Sequence, residues 1–405
     1  MTPRLVLFDD ARARDWQPFT LTRPAGELLF GAYTLRARAE RTLGLRCAGH
    51  VTAPELAGFS EPDAPGIALS EDVTATAPCV FLSSRAVVSA PVAQWPAART
   101  ALFMDDECVG WFVPAGEAPP RDTAFTHPDT DAAAPRLVLH GSVLHDVWDL
   151  VVRNPAQVAH DARAAAPVAH TVLPGHVHVL GDEADILLGE RVTIEPGVVL
   201  DTTHGPIWLE DDVTVHAFTR IAGPTWVGRG STLLGGPLAE VSIGPVCKVH
   251  GEIEASVVLG YTNKAHDGFL GHAYLGRWVN LGALTTNSDL KNNYGTIRLW
   301  TPAGDVDTGQ MKIGCLLGDH VKTGIGTMLN TGTVVGAGSN LFGSAMPPKY
   351  VPPFSWGSGT DLVAYDFERF VQTAETAAAR RGIELDEAQR GLLLRAWQRS
   401  RGDAG

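Results

Sequence analysis

LEDDVTVHAFTRIAGPTWVGRGSTLLGGPL, residues 209–238, divides into sixes led by Leu209, Val215, Ile221, Val227 and Leu233. The same period runs upstream through Leu188, Ile194 and Leu200. It resumes at Ile243 and Val249, at Leu275 and Leu281, and again at Leu317, Thr323, Leu329 and Val335. A six-residue period is the pattern of a parallel β-helix. Each six supplies one short strand and a turn, and three sixes close a triangular coil. The leading aliphatic then points inward and stacks on its equivalents in adjacent coils. Glycine and other small residues suit the tight corners, where positive φ is often needed. A β-sandwich would instead show strict alternation and irregular turns.

The rhythm slips at HGPIW (204–208) and PLAEVS (237–242), and breaks more deeply in two places. YTNKAHDGFLGHAYLGRWVNLGALTTN (261–287) departs from the aliphatic lead in its first coil and carries His266, which marks it as the place where the scaffold holds chemistry. NNYGTIRLWTPAGDVDTGQMKIG (292–314) has two apolar runs around a turn-rich centre and predicts a projecting hairpin.

Outside the repeat, RLVLF (4–8), CVFLSS (79–84), TALFM (100–104), CVGWFV (108–113) and RLVLHG (136–141) predict strands. Helical spacing after Pro24, through Leu28, Leu29, Ala32, Leu35 and Ala39, and one or two helices broken near Pro155 complete an α/β pattern. Asp105, Asp106 and Glu107 suit a hairpin turn. Asp9 and Asp10 follow the first strand, as acidic turn residues or as oxygen ligands for a divalent cation. Arg23 and Arg85 lie near strand ends, where a guanidinium fork suits phosphate, although surface ion pairs are the commoner use of such residues. No GxxxxGK[ST] loop or GxGxxG fingerprint occurs near the first strand.

Beyond the Pro-rich MPPKYVPPFSWGSGT, residues 361–382 predict an amphipathic helix capped by Thr360 or Asp361 and stopped by Gly382; a second helix follows. Arg380 and Arg381 fit that helix's last turn as dipole complements, with phosphate contact the less favoured role. The expected segments are an α/β domain over 1–165, the β-helix over 166–345 and a helical extension over 346–405. The net charge of −13 argues against sequence-independent nucleic-acid binding. Five scattered cysteines without a CxxC pair, and no signal-peptide core or membrane span, point to the cytoplasm.

The hexads together with TNKAHDGFLGHAYLGRWVNLGALTTNSD, over 261–345, resemble the acetyltransferase half of the GlmU-like bifunctional family. The opening LFDD…FTLTRPAGELLFG and WDLV at 148–151 look like a divergent sugar nucleotidyltransferase branch of that family. The resemblance implies a left-handed β-helix and transfer of an acetyl group from acetyl-CoA to the amine of a glucosamine-1-phosphate-like sugar. It also implies uridylyl transfer from UTP, or sugar-nucleotide binding alone, in the N-terminal domain. Mg²⁺ is expected if nucleotidyl transfer is retained. His266 matches the catalytic base, Asn280 a residue holding the amino sugar, and Ala283 a backbone N–H aimed at the acetyl carbonyl. Ile325 and Ser339, with Ala283, fall where the family binds coenzyme A. Lys264, Asn287, Lys291, Arg23 and Arg85 are implied substrate contacts. Phe269 stands where tyrosine is common, and Glu254 and Ala255 replace a basic position. A homotrimer is expected, because a lone triangular prism leaves flat apolar faces and the sites of the family it resembles lie between subunits.

Acyl transfer to an amine needs a base of near-neutral pKa, a donor for the developing oxyanion and two substrates held together. Other classes stay open: nucleotidyl transfer alone, a β-helix zinc enzyme of the carbonic-anhydrase type using His250, His266 and His272, or a non-enzymatic sugar-nucleotide-binding protein.

Overall fold

The computed structural model describes residues 2–61, 64–67, 77–128, 135–165 and 173–402. The chain forms two compact units. One comprises 1–28, 33–147 and 386–396, the other 29–32, 148–385 and 397–405. These cut the chain differently from the three segments expected. Residues 29–32 and the helices from Asp149 to Ala164 join the repeat unit. Residues 166–172, where the sequence places the start of the second segment, lie outside the described residues.

In the first unit, six strands form a mixed sheet in the order Cys47–Val51, Arg4–Phe8, Cys79–Ser83, Glu107–Val113, Thr100–Met104 and Arg136–Val138. The first three run parallel, so Thr52, Asp9 and Ser84 meet at their carboxyl ends. The expected turn between Met104 and Glu107 is present. The helix expected soon after Pro24 starts later, at Leu35, because Gly31 takes a positive φ and Thr34 caps the helix by accepting from the Ala37 N–H.

The second unit is a parallel β-solenoid of about ten turns from residue 178 to 357, followed by helices. Its three faces are parallel sheets of six, nine and ten strands, the last including the antiparallel Asp361–Ala364. The aliphatic leads stack as the period predicts. On the nine-stranded sheet, Leu188, Leu209, Val227, Ile243, Val258, Leu275, Leu317, Val335 and Val351 are successive register partners, and all are buried. The six-stranded sheet supplies Leu200, Ile221, Leu238, Ile253 and Leu270. The outer face of the nine-stranded sheet is covered within the same unit: the Tyr274 hydroxyl donates to the Leu29 carbonyl, and Ser242 bonds both Gly31 and Asn154.

The corners are where expectation and structure part. Glycine was expected there, yet Arg191, Asp212, Val246, Tyr261, Trp278 and His320 all adopt positive φ. Each stands three residues before an inward residue of the ten-stranded sheet. A non-glycine residue in this region costs about 1 kcal/mol. Corner residues of adjacent coils recover part of that by touching: Arg191 pairs with Asp212 at 2.6 Å, and the rings of Tyr261 and Trp278 stack at 4.6 Å.

The hairpin in 292–314 is present as Arg298–Thr301 against Gly304–Asp307. The first C-terminal helix begins later than Thr360 or Asp361. Residues 361–364 extend the sheet, and the helix Phe367–Ala379 is capped by Asp366, which accepts from the Arg369 N–H. Gly382 follows its end at φ 69°. Phe370 anchors this helix on the solenoid against Phe354 and His320.

Ile243→Ala removes one step of the nine-membered column and is expected to lower stability by about 2–5 kcal/mol. Urea unfolding followed by circular dichroism measures this; an unchanged midpoint would show that the column does not support the coil.

Candidate functional site

The outward face of the ten-stranded sheet carries its own column. Thr193, Thr214, Thr232, Lys248, Asn263, Asn280, Lys322, Asn340 and Trp356 are successive register partners. Where the column turns from threonine to lysine and asparagine, a cavity of about 550 Å³ opens between the sheet and the helix Phe367–Ala379. Lys248, Asn263, Asn280 and Lys322 form its floor, the Tyr261–Trp278 stack one edge, and Arg380 and Arg381 stand at the end of the helix wall.

No carboxylate is among its lining residues. None of the four cations forms an ion pair among the described residues. Burial, with no compensating anion, pulls the Lys322 ammonium down to about 8. Four such cations in a chain of net charge −13 make a site for an anion. Asn263 donates to the Asn280 side-chain oxygen at 2.9 Å, which fixes the amide pair between the lysines.

Of the residues singled out in the sequence, Asn280, Arg380 and Arg381 line this cavity, and His266, Ala283 and Ile325 are not among its lining residues. Lys264 faces the other way. It occupies the inward position below Val249, where the column Ile194, Val215, Leu233 and Val249 would place another aliphatic. It is buried, and its Nζ donates to the carbonyls of His250 at 2.7 Å and His266 at 2.6 Å. Burial lowers its pKa to about 8, against a smaller opposing effect of Asp267. Lys264 therefore holds the corner from inside. His266 is exposed on that corner, two residues on from Lys264, and its ring makes no hydrogen bond among the described residues.

The other candidates are dispersed. Asn287 is buried and spans Gly271, accepting from its N–H and donating to its carbonyl. Phe269 is half-buried beside Gly271. The Ala283 carbonyl accepts from the Gly326 N–H, tying two coils together. Ile325 is exposed at 76 %, whereas Ser339 is fully buried and bonds Pro352 and Ser355. Lys291 donates to the Thr296 carbonyl at the base of the hairpin arm. The zinc-site histidines are separately engaged: His250 with Asp267 and His272 with Asp289. Among the described residues no three His, Cys, Asp or Glu side chains are grouped to hold a metal.

In the first unit, Arg85 is buried and bound by Asp10, Glu107 and the Leu144 carbonyl. Arg23 pairs with Glu61 at 2.9 Å. Asp9 accepts from Ser84, Thr52 and the Ala25 N–H, and burial raises its pKa. Asp10 caps the turn at Ala13 and accepts from Ser83 and Arg85. With their oxygens taken by protein donors and a guanidinium alongside, Asp9 and Asp10 do not fit a Mg²⁺ ion. All five cysteines are free, and burial pushes the Cys247 and Cys315 thiols up to about 12, which removes them as nucleophiles at neutral pH.

Residues 5–167 match the family model for sugar nucleotidyl transferases. A bifunctional sugar-1-phosphate nucleotidylyltransferase/acetyltransferase of Sulfurisphaera tokodaii is 25% identical over 95 residues, 24% of this chain and 24% of its own length. An Arabidopsis UDP-N-acetylglucosamine acyltransferase structure aligns over 52% of this chain and 81% of its own, at 13% identity and a TM-score of 0.26. Among the described residues no helix is long and apolar enough to cross a membrane.

Lys248, Lys322, Tyr261 and Trp278 were missed in the sequence. The signal was available: Lys248 and Lys322 each immediately precede an inward residue, so register alone stacks them with Asn263 and Asn280.

The lowered pKa of Lys264 has a signed consequence. Its folded value near 8 lies below the ordinary lysine value of 10.5, so the unfolded chain holds a proton that the folded chain releases between those pH values. The ammonium costs most below pH 8. Lys264→Met is therefore expected to be most stable relative to the wild type at pH 7, and that difference to shrink by pH 9. Thermal midpoints of both proteins at the two pH values test this, and a pH-independent difference would contradict it.

Proposed function

We propose that the solenoid unit transfers an acetyl group from acetyl-CoA to the amine of an amino-sugar phosphate of the glucosamine-1-phosphate kind. The observation that carries this reading is the cavity itself: four unpaired cations, an amide pair and no carboxylate. The cations hold the phosphate, and Asn280 positions the sugar. His266 lies on the corner just beyond Asn263 and takes the proton from the attacking amine. The N–C bond forms as the thioester C–S bond breaks, and the thiolate leaves as coenzyme A. Lys264, through the His266 carbonyl, fixes the backbone of the base. Ala283 and Ile325, on corners of successive coils, suit the acyl-CoA side.

The region over residues 5–167 supplies the nucleotidyl half, from UTP to a sugar 1-phosphate, in agreement with its match to sugar nucleotidyl transferases. Mg²⁺ would arrive with the triphosphate, since Asp9 and Asp10 are already engaged. That match also favours nucleotidyl transfer alone as the second reading, because it stops before the solenoid. A homotrimer agrees with the exposed Phe218, Leu284, Ile325 and Met328, which leave apolar surface along one edge of the coils. The acidic charge and free cysteines agree with the cytoplasm.

The test is a paired assay: thiol release from acetyl-CoA with glucosamine-1-phosphate, and pyrophosphate release from UTP with N-acetylglucosamine-1-phosphate. Thiol release is expected, and His266→Ala should lower its kcat by about 10²–10⁴ with the circular dichroism unchanged. Pyrophosphate release without thiol release would support the second reading. A sedimentation mass of one chain would contradict the trimer.

A further inference from the structure

An amino-sugar phosphate brings a problem of charge into this cavity. In water its amine is an ammonium over much of the neutral range. An ammonium has no lone pair with which to attack a thioester, so acyl transfer needs the free amine. The cavity gives the ammonium no counter-charge: its charged lining residues are Lys248, Lys322, Arg380 and Arg381, and no carboxylate is among them. In glucosamine-1-phosphate the amine sits on the carbon next to the one that bears the phosphate. A cation that touches the phosphate is therefore within reach of the amine, and like charge favours loss of the amine's proton.

Of the four cations, Lys322 is the one suited to take that proton. Arg380 and Arg381 stay protonated throughout. Lys248 is exposed on the sheet, where water solvates its ammonium. Lys322 is half-buried between Asn280 and Asn340, its register partners in the coils on either side. The helix wall faces the cavity with Gln372, Thr373 and Thr376, and Lys248, Tyr261 and the two arginines are the titratable groups that share it. The Lys322 ammonium has no hydrogen bond or ion pair among the described residues. Its value near 8 leaves a fraction of the chains with a neutral Lys322 at slightly alkaline pH. A phosphate bound alongside favours the charged form and so strengthens its hold on a proton.

We propose that Lys322 is a catalytic residue: it takes the first proton from the ammonium of the bound sugar, and the amine enters the His266 step uncharged. This rests on the acyl-transfer reading and adds a proton transfer to it. The ammonium loses one proton to Lys322. The neutral amine attacks the acetyl carbon, the N–C bond forms and the C–S bond breaks. A second proton leaves the nitrogen through His266 and ends on the thiolate. The sum is a sugar ammonium, acetyl-CoA and neutral Lys322 giving the N-acetyl sugar, free coenzyme A and charged Lys322. Lys322 gives its proton to water when the product phosphate leaves.

The full chain is assayed for thiol release from acetyl-CoA with glucosamine-1-phosphate at pH 7.5 and pH 9.5, as the wild type and as Lys322→Arg. Arginine keeps a cation for the phosphate but does not give up its proton. The variant's kcat is expected to fall at least tenfold at pH 7.5 with KM within threefold. The deficit should shrink at least threefold at pH 9.5, where the sugar amine is already free in solution. Calorimetric titration of the wild type at pH 8, in two buffers of different ionisation enthalpy, counts protons without turnover. Glucose-1-phosphate, with a hydroxyl in place of the amine, should draw in about half a proton on binding. Glucosamine-1-phosphate should draw in at least twofold less, because its own ammonium supplies the proton. Circular dichroism checks Lys322→Arg, and the calorimetric comparison decides the matter if that variant fails to fold. An unchanged kcat in Lys322→Arg, a deficit equal at both pH values, or equal proton uptake with the two sugars overturns the inference and leaves the acyl-transfer reading standing. No thiol release by the wild type overturns both.

Discussion

The solenoid rests on one constraint: every coil must place an aliphatic side chain at the same inward position, one coil spacing from its neighbours. Stacked at about 4.8 Å, those side chains exclude water along the whole prism, and the hexad repeats the placement on each face of the coil. The constraint also fixes everything that faces outward. Once Val249 and Leu281 point in, Lys248 and Asn280 must point out. The cation-lined cavity is thus a by-product of core register, positioned with the precision of the core itself.

Lys264 is the exception that connects core to site. An inward lysine breaks the aliphatic column, and its ammonium is satisfied by two carbonyls, one of them that of His266. The loss of an apolar contact becomes a fixed corner next to the amide pair. The corners follow the same logic. Tyr261 and Trp278 accept unfavourable positive φ, offset by stacking on one another, and so present rings to the cavity where glycine would present nothing.

Much of this was legible in the sequence. The hexads predicted the parallel coil and the identity of its buried leads, because a period of six brings the same position of each coil into one inward column. The interruption at 261–287 marked Asn280, which does line the cavity. The rest was obscured for physical reasons. Thr360 and Asp361 offered plausible caps, but residues 361–364 pair with the sheet edge and postpone the helix to Phe367. Asn287 is chemically suited to a ligand yet is consumed bridging Gly271. Arg85 fits phosphate equally well, and burial beside Asp10 and Glu107 takes it. Competition of this kind depends on which coils and strands meet, and spacing along the chain does not reveal it. Arg380 and Arg381 show the reverse case: read as dipole complements of their own helix, they stand at a cavity wall.

The central claim is that Lys248 and Lys322 bind the acceptor's phosphate. Lysine footprinting tests it most directly: brief acylation of surface amines at pH 8, read by mass spectrometry, with and without saturating glucosamine-1-phosphate. Lys248, exposed on the sheet, should label readily in the free protein. Ligand should protect Lys322 and Lys248 and leave Lys312 and Lys349, outside the cavity, unchanged. Equal labelling of Lys248 and Lys322 with and without the ligand would contradict the account.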